Sequence, residues 1–361
     1  MIVKNLMAVG IIASVATVAA AADEAKANWG IKGLVRMDAV QSTTETKVGD
    51  ADKSTAKSSE VMLKHGDMTL TGDRGGDTMK IKFHAESGFA LLDTATITHK
   101  FTDTVNVAFG KMSVLAQSWE NDYDSSDQYI WSWAGQATPS NADGAQVNAN
   151  FGDHNVSLQV VQGVKSITSS TTNATTGKVT KTAVTFNDGG SLTAALQYKG
   201  DINKMIKPIL TYTSVKTSGT KGSDGANYGN GYQTQMGLGV QVLVADLTAD
   251  LEYDTVKNHK VKDVTSAKDN DIASMILQAK YAIGMTTPFL KVVSETHKFG
   301  AEKNVGDLSG MQLALGAEHK LDENCRLHGL YMMSSKSEKI AGEKTTKTNM
   351  AGFNFGVTAS M

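Results

Sequence analysis

The chain has 361 residues, with 35 Lys and Arg against 37 Asp and Glu, so its charge is close to neutral. That balance gives no sign of a nucleic-acid partner, and one Cys with eight scattered His excludes an internal disulfide and offers no metal-ligand spacing. A Gly-x-Ser-x-Gly nucleophile motif and a phosphate-binding glycine loop are both missing from the sequence, so we expect neither an enzyme nor a cofactor.

Residues 1–22 have the three parts of a secretory signal peptide. Lys4 supplies the positive start, an apolar run follows, and three alanines ending at Ala22 form a small-residue cleavage site. A second such site ends at Ala27. The apolar run is shorter than the roughly 20 residues that a membrane-spanning helix needs. We therefore predict a cleaved signal peptide over residues 1–22 and a single domain over residues 23–361.

The remainder of the chain alternates apolar and polar side chains. In residues 246–254, one face carries Leu247, Ala249, Leu251 and Tyr253, and the other carries Thr248, Asp250, Glu252 and Asp254. Successive side chains of a strand point to opposite faces, so this pattern indicates strands with one apolar face. About sixteen strands are predicted, at 28–40, 59–71, 78–87, 92–101, 105–112, 143–151, 155–164, 191–198, 206–215, 232–242, 246–256, 271–281, 287–297, 307–320, 325–334 and 348–361.

The connections between these strands are of two kinds. Those after even-numbered strands are short and rich in turn formers, as at 72–76 and 322–324. Most of those after odd-numbered strands are long and polar, as at 42–58, 113–142 and 165–190. The sequence therefore predicts an all-β fold, a transmembrane antiparallel β-barrel with short periplasmic turns and long extracellular loops.

A secreted β-sandwich or β-solenoid would also alternate. The polar face, however, carries charged residues such as Lys80, Lys82, Asp250 and Glu252. A dry core could not hold so many ions, whereas a wet barrel interior can. Aromatic residues that would form interfacial girdles near the strand ends are Tyr198, Tyr212, Tyr253, Tyr281 and Tyr331.

Several segments resemble bacterial porins of the sixteen-stranded class, both general-diffusion and phosphate-selective. Residues 91–101 end in Lys-Phe, a tight turn follows at 102–104, and 105–112 ends in Gly-Lys-Met, as in the porin hairpin that precedes the constriction loop. The segments 28–33 and 353–357 resemble the first and last porin strands. The resemblance implies an outer-membrane location, contact with outer-membrane lipid and lipopolysaccharide, insertion by periplasmic chaperones and the barrel-assembly machinery, homotrimers, and passive diffusion of small hydrophilic solutes.

The chain departs from that pattern in two places. It ends in Met361, where porins usually end in Phe, although Met361 is apolar and in phase with Phe353 and Phe355. The connection at 87–91, which in trimeric porins is a loop that latches onto a neighbouring subunit, is very short here.

The loop near 113–142 is the main candidate site. It follows the fifth strand, where porins fold a loop into the lumen, and no Lys, Arg or His occurs between 112 and 153. The residues predicted to form the constriction are Trp119, Glu120, Asp122, Tyr123, Asp124, Asp127, Trp131 and Trp133. Charged rings set ion selectivity in channels, so the acidic residues predict a modest preference for cations. Alternatively, the loop stands upright and its acidic residues are merely solvated.

Basic residues on predicted lumen positions would face this loop as a basic wall. They are Lys32, Arg36, Lys64, Lys80, Lys82, His84, Lys291 and Arg326. The alternative is that they are ordinary charges of a wet barrel interior. Three functions stay open: a general diffusion porin, a channel specific for sugars or for anions such as phosphate, and a structural or adhesion barrel that does not conduct.

Overall fold

The computed structural model of the protein describes residues 28–86, 89–123, 128–136, 141–162, 165–172, 179–186, 192–217, 220–221, 227–228, 231–259, 270–299, 307–339 and 345–361. The predicted signal peptide and two predicted site residues, Asp124 and Asp127, lie outside these ranges.

Sixteen antiparallel strands form a closed barrel, which confirms the predicted fold. They are β1 (Asn28–Val48), β2 (Ser54–Arg74), β3 (Asp77–Glu86), β4 (Phe89–Lys100), β5 (Val105–Met112), β6 (Ala142–Phe151), β7 (His154–Gln162), β10 (Leu192–Gly200), β11 (Ile206–Thr217), β14 (Gly231–Val244), β15 (Leu247–His259), β16 (Asn270–Tyr281), β17 (Thr286–Phe299), β18 (Asp307–Lys320), β19 (Cys325–Lys339) and β20 (Thr346–Ser360). Two further hairpins lie within predicted loops and pair separately, β8 (Lys165–Thr172) with β9 (Val179–Phe186) and β12 (Thr220–Lys221) with β13 (Asn227–Tyr228).

Two short helices, α1 (Trp119–Asp122) and α2 (Trp133–Gln136), lie between β5 and β6. No helix in the described ranges is long and apolar enough to cross a membrane.

Several strands are longer than predicted, mainly at their extracellular ends. β1 continues to Val48 and β2 begins at Ser54, and the added residues pair with each other, for example Glu45 with Thr55. These segments are polar on both faces, so the apolar alternation that located the strands is missing there.

The barrel closes through β1 and β20, which pair from Leu34 with Ser360 to Val48 with Thr346. The last residue extends this ladder: the Met361 amide donates to the Gly33 carbonyl at 3.0 Å, and the Gly33 amide donates to the Met361 carbonyl at 2.9 Å. Met361 therefore takes part in closing the barrel although it is not Phe.

The two faces of the wall follow the predicted alternation. In β15, Leu251 is 57% exposed on the outside, whereas Asp250 and Glu252 are 1% and 2% exposed on the inside. The predicted girdle residues Tyr212, Tyr253 and Tyr281 are exposed on the outer face.

A bulge between β1 and β2 changes one predicted position. The register shifts between Arg36 and Met37, whose partners are His65 and Leu63. Lys64, which was predicted on the lumen face, is the extra residue of this bulge, and the inward positions beside it are His65 and Asp67. A bulge inserts one unpaired residue and thereby changes which residues face each side. The sequence alternation did not reveal it.

Candidate functional site

The segment between β5 and β6 runs along the inner face of the barrel. The Leu115 amide donates to Gln159 Oε1 on β7 at 2.9 Å, and the Thr213 hydroxyl on β11 donates to the Leu115 carbonyl at 2.5 Å. Farther along, Gln312 on β18 donates to the Trp131 carbonyl at 2.9 Å. These wall residues occupy inward positions of their strands, so the described parts of the segment, which we call the inner loop, lie within the barrel.

Glycines on the wall allow the inner loop to approach closely. A Cβ added at Gly239 would lie 3.0 Å from Trp119 Cδ1 and 3.1 Å from Ser118 Cβ, and one added at Gly237 would overlap the backbone of Gln117. A Cβ at Gly310 would lie 3.0 Å from the Trp133 ring. Only glycine fits at such distances without movement of the loop.

Carboxylates of β15 hold the start of α1. The Ser118 hydroxyl lies 2.5 Å from Glu252 Oε2 and 2.8 Å from Asp254 Oδ1. The Glu120 amide donates to Glu252 Oε2 at 2.8 Å. The two carboxylates are almost fully buried, so the loop supplies hydrogen-bond donors that water cannot supply here.

Glu120 forms a buried ion pair with Lys291 of β17. The Lys291 ammonium is 2.7 Å from Glu120 Oε1 and also donates to Gln128 Oε1 at 2.8 Å and to the Ile130 carbonyl at 2.9 Å. The Ser132 amide donates to Glu120 Oε1 at 3.0 Å. The pair has side-chain exposures of 5% and 0%, and all three ammonium donors are used.

Arg36 of β1 contacts the middle of the inner loop. Its guanidinium donates twice to Asp38, at 2.8 and 2.7 Å, and lies 4.5 Å from the centre of the Tyr129 ring. The Tyr129 ring stacks on Phe289 at 4.9 Å, and its hydroxyl donates to Glu318 at 2.9 Å. The inner loop is therefore attached to the wall at Tyr129 as well as at Leu115, Ser118 and Glu120.

Two loop phenols act as hydrogen-bond donors. Burial, and then the Asp250 carboxylate, raises the pKa of Tyr123 above its ordinary value. Burial and then Glu318 raise the pKa of Tyr129 in the same direction. Both phenols stay protonated at neutral pH, as their contacts with carboxylates require.

The structure separates the predicted constriction residues. Trp119 and Glu120 are buried against the wall, so Glu120 does not face lumen water. Asp122 is partly exposed and pairs with Lys199, and the Trp133 amide donates to Glu295. Asp124 and Asp127 lie outside the described ranges. The role of these acidic residues in ion selectivity stays a prediction.

The predicted basic wall is not a single surface opposite the loop. Lys32 and Lys80 are exposed at inward positions, and Lys82 pairs with Asp67 at 3.0 Å. Arg36 and Lys291 are buried and contact the loop itself. The remaining two predicted residues pair with acidic neighbours, His84 with Asp67 and Arg326 with Glu318.

Three lysines beside α1 were not singled out from the sequence. The Lys199 ammonium lies 5.9 Å from the Trp119 ring centre, and the Lys280 ammonium lies 5.6 Å from that of Tyr123. The Trp119 indole donates to the Lys207 carbonyl at 3.2 Å. Each of the three lysines alternates in phase with inward residues of its strand, and this alternation is the sequence signal that could have identified them. Lys199 was missed because the predicted eighth strand ends at residue 198.

Comparisons with known proteins agree with this architecture. A family model described as Gram-negative porin matches residues 8–339. The outer membrane channel DcaP of Acinetobacter baumannii aligns with TM-score 0.65 at 11% identity, over 94% of this chain and 99% of that one. OmpT of Vibrio cholerae in a trimer form aligns with TM-score 0.61 at 12% identity, over 93% and 99%.

An anion-selective porin from Comamonas acidovorans aligns with TM-score 0.59 at 12% identity, over 93% of this chain and all of that one. A search of curated protein sequences finds no match. Family and fold together identify an outer-membrane diffusion channel rather than an enzyme, and the chain belongs to the Gram-negative porin family.

Proposed function

We propose that the protein conducts small hydrophilic solutes and ions by passive diffusion, through a lumen narrowed by the inner loop. The supporting observation is the anchoring of the inner loop to the inner face of the barrel through Glu120 and Lys291. A loop held in this way occupies part of the cross-section and leaves a water-filled passage beside it. Pore width and lumen charge then sort the solutes, without covalent chemistry.

A sugar-specific channel is less well supported than a general one. A sugar-binding surface would need aromatic rings with an open face. The Tyr129 ring stacks on Phe289 and also contacts Arg36. Trp119 is buried, close to Gly239 and Lys199. These rings fix the loop to the wall, so they offer little surface to a sugar.

The assembly steps follow from the porin resemblance. Residues 1–22 would direct export and be removed, and periplasmic chaperones and the barrel-assembly machinery would insert the barrel among outer-membrane lipid and lipopolysaccharide. We expect homotrimers, and the similar OmpT structure of Vibrio cholerae is described in a trimer form. Cross-linking of the purified protein in detergent would detect the trimer.

Planar-bilayer recording tests the channel directly. Protein whose β-rich circular dichroism and heat-modifiable gel migration show a folded barrel should give stepwise, ohmic conductance that rises with KCl concentration. Current reduced by sugars alone would favour the sugar-specific alternative. Folded protein that inserts but does not conduct would contradict the proposal and favour a structural or adhesion barrel.

A further inference from the structure

The part of the lumen on the periplasmic side of the inner loop carries several lysines. They lie near the strand ends that join the short turns, and we call them the vestibular lysines: Lys32 on β1, Lys80 on β3, Lys199 on β10, Lys207 on β11 and Lys280 on β16. They come from five strands spread around the barrel, so they surround this part of the lumen rather than line one side.

Strand register places the side chains of these residues on the inner face. Lys32 pairs with Thr69, which in turn pairs with Lys82, whose ammonium contacts the buried Asp67. Lys199 is in phase with Gln197, which is 5% exposed on the inner face. Likewise, Lys207 is in phase with Thr211 and Lys280 with Gln278, both almost fully buried on the inner face.

The vestibular lysines are in contact with water. Lys32 and Lys80 are exposed, and the side chains of Lys199 and Lys207 are 29% and 32% exposed. Lys199 and Lys280 lie at the edge of α1, over the rings of Trp119 and Tyr123. A solute that passes the inner loop therefore meets ammonium groups on the loop side and, across the lumen, on β1 and β3.

Acidic residues offset this charge only in part. Asp122 pairs with Lys199, and Asp201 lies 3.9 Å from Lys207. Asp73 is exposed near the turn between β2 and β3. Within the described ranges, Lys32 and Lys80 form no ion pair with an acidic side chain. Glu252, Asp254 and Glu120 are covered by the loop or belong to it, so a permeating ion does not contact them.

We propose that the vestibular lysines bind small anions and give the channel a preference for anions over cations. The inference rests on the proposed function, because only a conducting pore has a selectivity. Rings of lysine side chains select anions in pores, and a cleft lined by charges of one sign raises the local concentration of the opposite ion. This reverses the cation preference expected from the acidic sequence of the loop, because Glu120 is buried, Asp122 and Lys199 together carry no net charge, and the other vestibular lysines remain.

Reversal potentials in a KCl gradient test the inference. Wild-type protein should be more permeable to Cl⁻ than to K⁺, and Lys199→Gln/Lys207→Gln/Lys280→Gln should lower the Cl⁻/K⁺ permeability ratio by on the order of threefold, because it removes most of the loop-side charge. The matched control is Lys57→Gln/Lys257→Gln/Lys298→Gln, which removes the same charge from exposed, outward-facing positions and should leave the ratio unchanged.

A second variant avoids the residues that contact the loop. Lys32→Gln/Lys80→Gln should shift the ratio in the same direction even if the triple variant folds poorly. Citrate should block the KCl current at lower concentration in wild type and in the control than in either vestibular variant. A wild-type preference for K⁺, or a ratio equal in all these proteins, would overturn the inference while the channel proposal stands. Lack of conductance by folded wild-type protein would instead contradict the proposed function.

Discussion

Two parts of the inner face carry inward charges in the same alternating pattern but in different surroundings. On β15, Asp250, Glu252 and Asp254 lie under the inner loop and are 0–2% exposed. On β1 and β3, Lys32 and Lys80 have equivalent inward positions and are exposed to the lumen. The strand pattern determines that a side chain points inward; the loop determines whether it meets water.

The covered part depends on the loop for its hydrogen bonds. Glu252 accepts from the Glu120 amide and lies beside the Ser118 hydroxyl, and Glu295 accepts from the Trp133 amide. On the open part, the side chains of Lys32 and Lys80 are exposed, so solvent can reach their ammonium groups. We therefore expect substitutions under the loop to change stability and substitutions on the open part to change ion flow.

The largest effect is expected for Lys291→Met. It leaves Glu120 buried without its cation and close to Glu252, and breaking such a pair from one side costs about 3–5 kcal/mol in the free energy of unfolding. Urea unfolding of the barrel in detergent, followed by Trp fluorescence, measures the loss.

Two companion variants sharpen this measurement. Lys80→Met removes an exposed lysine from the open part and should cost less than about 0.5 kcal/mol. Lys291→Met/Glu120→Gln should recover much of the lost stability, because Glu120, the residue that pairs with Lys291, is then uncharged as well. Equal losses for Lys291→Met and Lys80→Met would abolish the distinction between the two parts of the inner face.

A smaller loss of stability is expected for Arg36→Lys. Lysine keeps the charge but cannot make two parallel hydrogen bonds to Asp38 or lie flat on the Tyr129 ring. The loss of charged hydrogen bonds predicts about 1.5–3 kcal/mol in the free energy of unfolding.

The same variant should change the current record. The part of the loop around Tyr129 is then less firmly held, so single-channel currents should fluctuate more in the open state. Lys32→Gln, on the same strand but in the open part, serves as the control and should leave stability and noise unchanged. If the Arg36→Lys protein is less stable but its open-state current fluctuates no more than that of wild type, Arg36 stabilises the wall and does not position the loop.

The strands and their faces could be predicted because they depend on local alternation. Leu251 and Glu252 were assigned to opposite faces from their neighbours alone, and the structure agrees. Lys291 and Lys80 are both inward lysines on alternating strands, and nothing local distinguishes them. Their difference comes from the inner loop, which is distant in the sequence from Lys291.

Close packing and bulges were also invisible in the sequence. Gly237 and Gly239 alternate with apolar residues of β14, and this alternation indicates only that the two glycines face inward. Their function in admitting the loop is evident only from the contacts of Trp119 and Gln117. The bulge at Lys64 leaves the composition of β2 unchanged and shifts its phase by one residue.

The smallest effect on stability is expected for Asp122→Asn. Asp122 belongs to the loop but is partly exposed, and its pair with Lys199 is accessible to water. Exposed ion pairs contribute about 0–1 kcal/mol, so the unfolding midpoint should hardly move. The Cl⁻/K⁺ permeability ratio should rise, because Lys199 loses its acidic neighbour. The shift in the permeability ratio should shrink from 0.1 M to 1 M KCl, as the Debye length falls from about 10 Å to about 3 Å.

Asp143→Asn, at an exposed outward position of β6, is the control and should leave the Cl⁻/K⁺ permeability ratio unchanged. A stability loss as large as that of Lys291→Met, with no change in selectivity, would assign Asp122 to the covered part of the inner face.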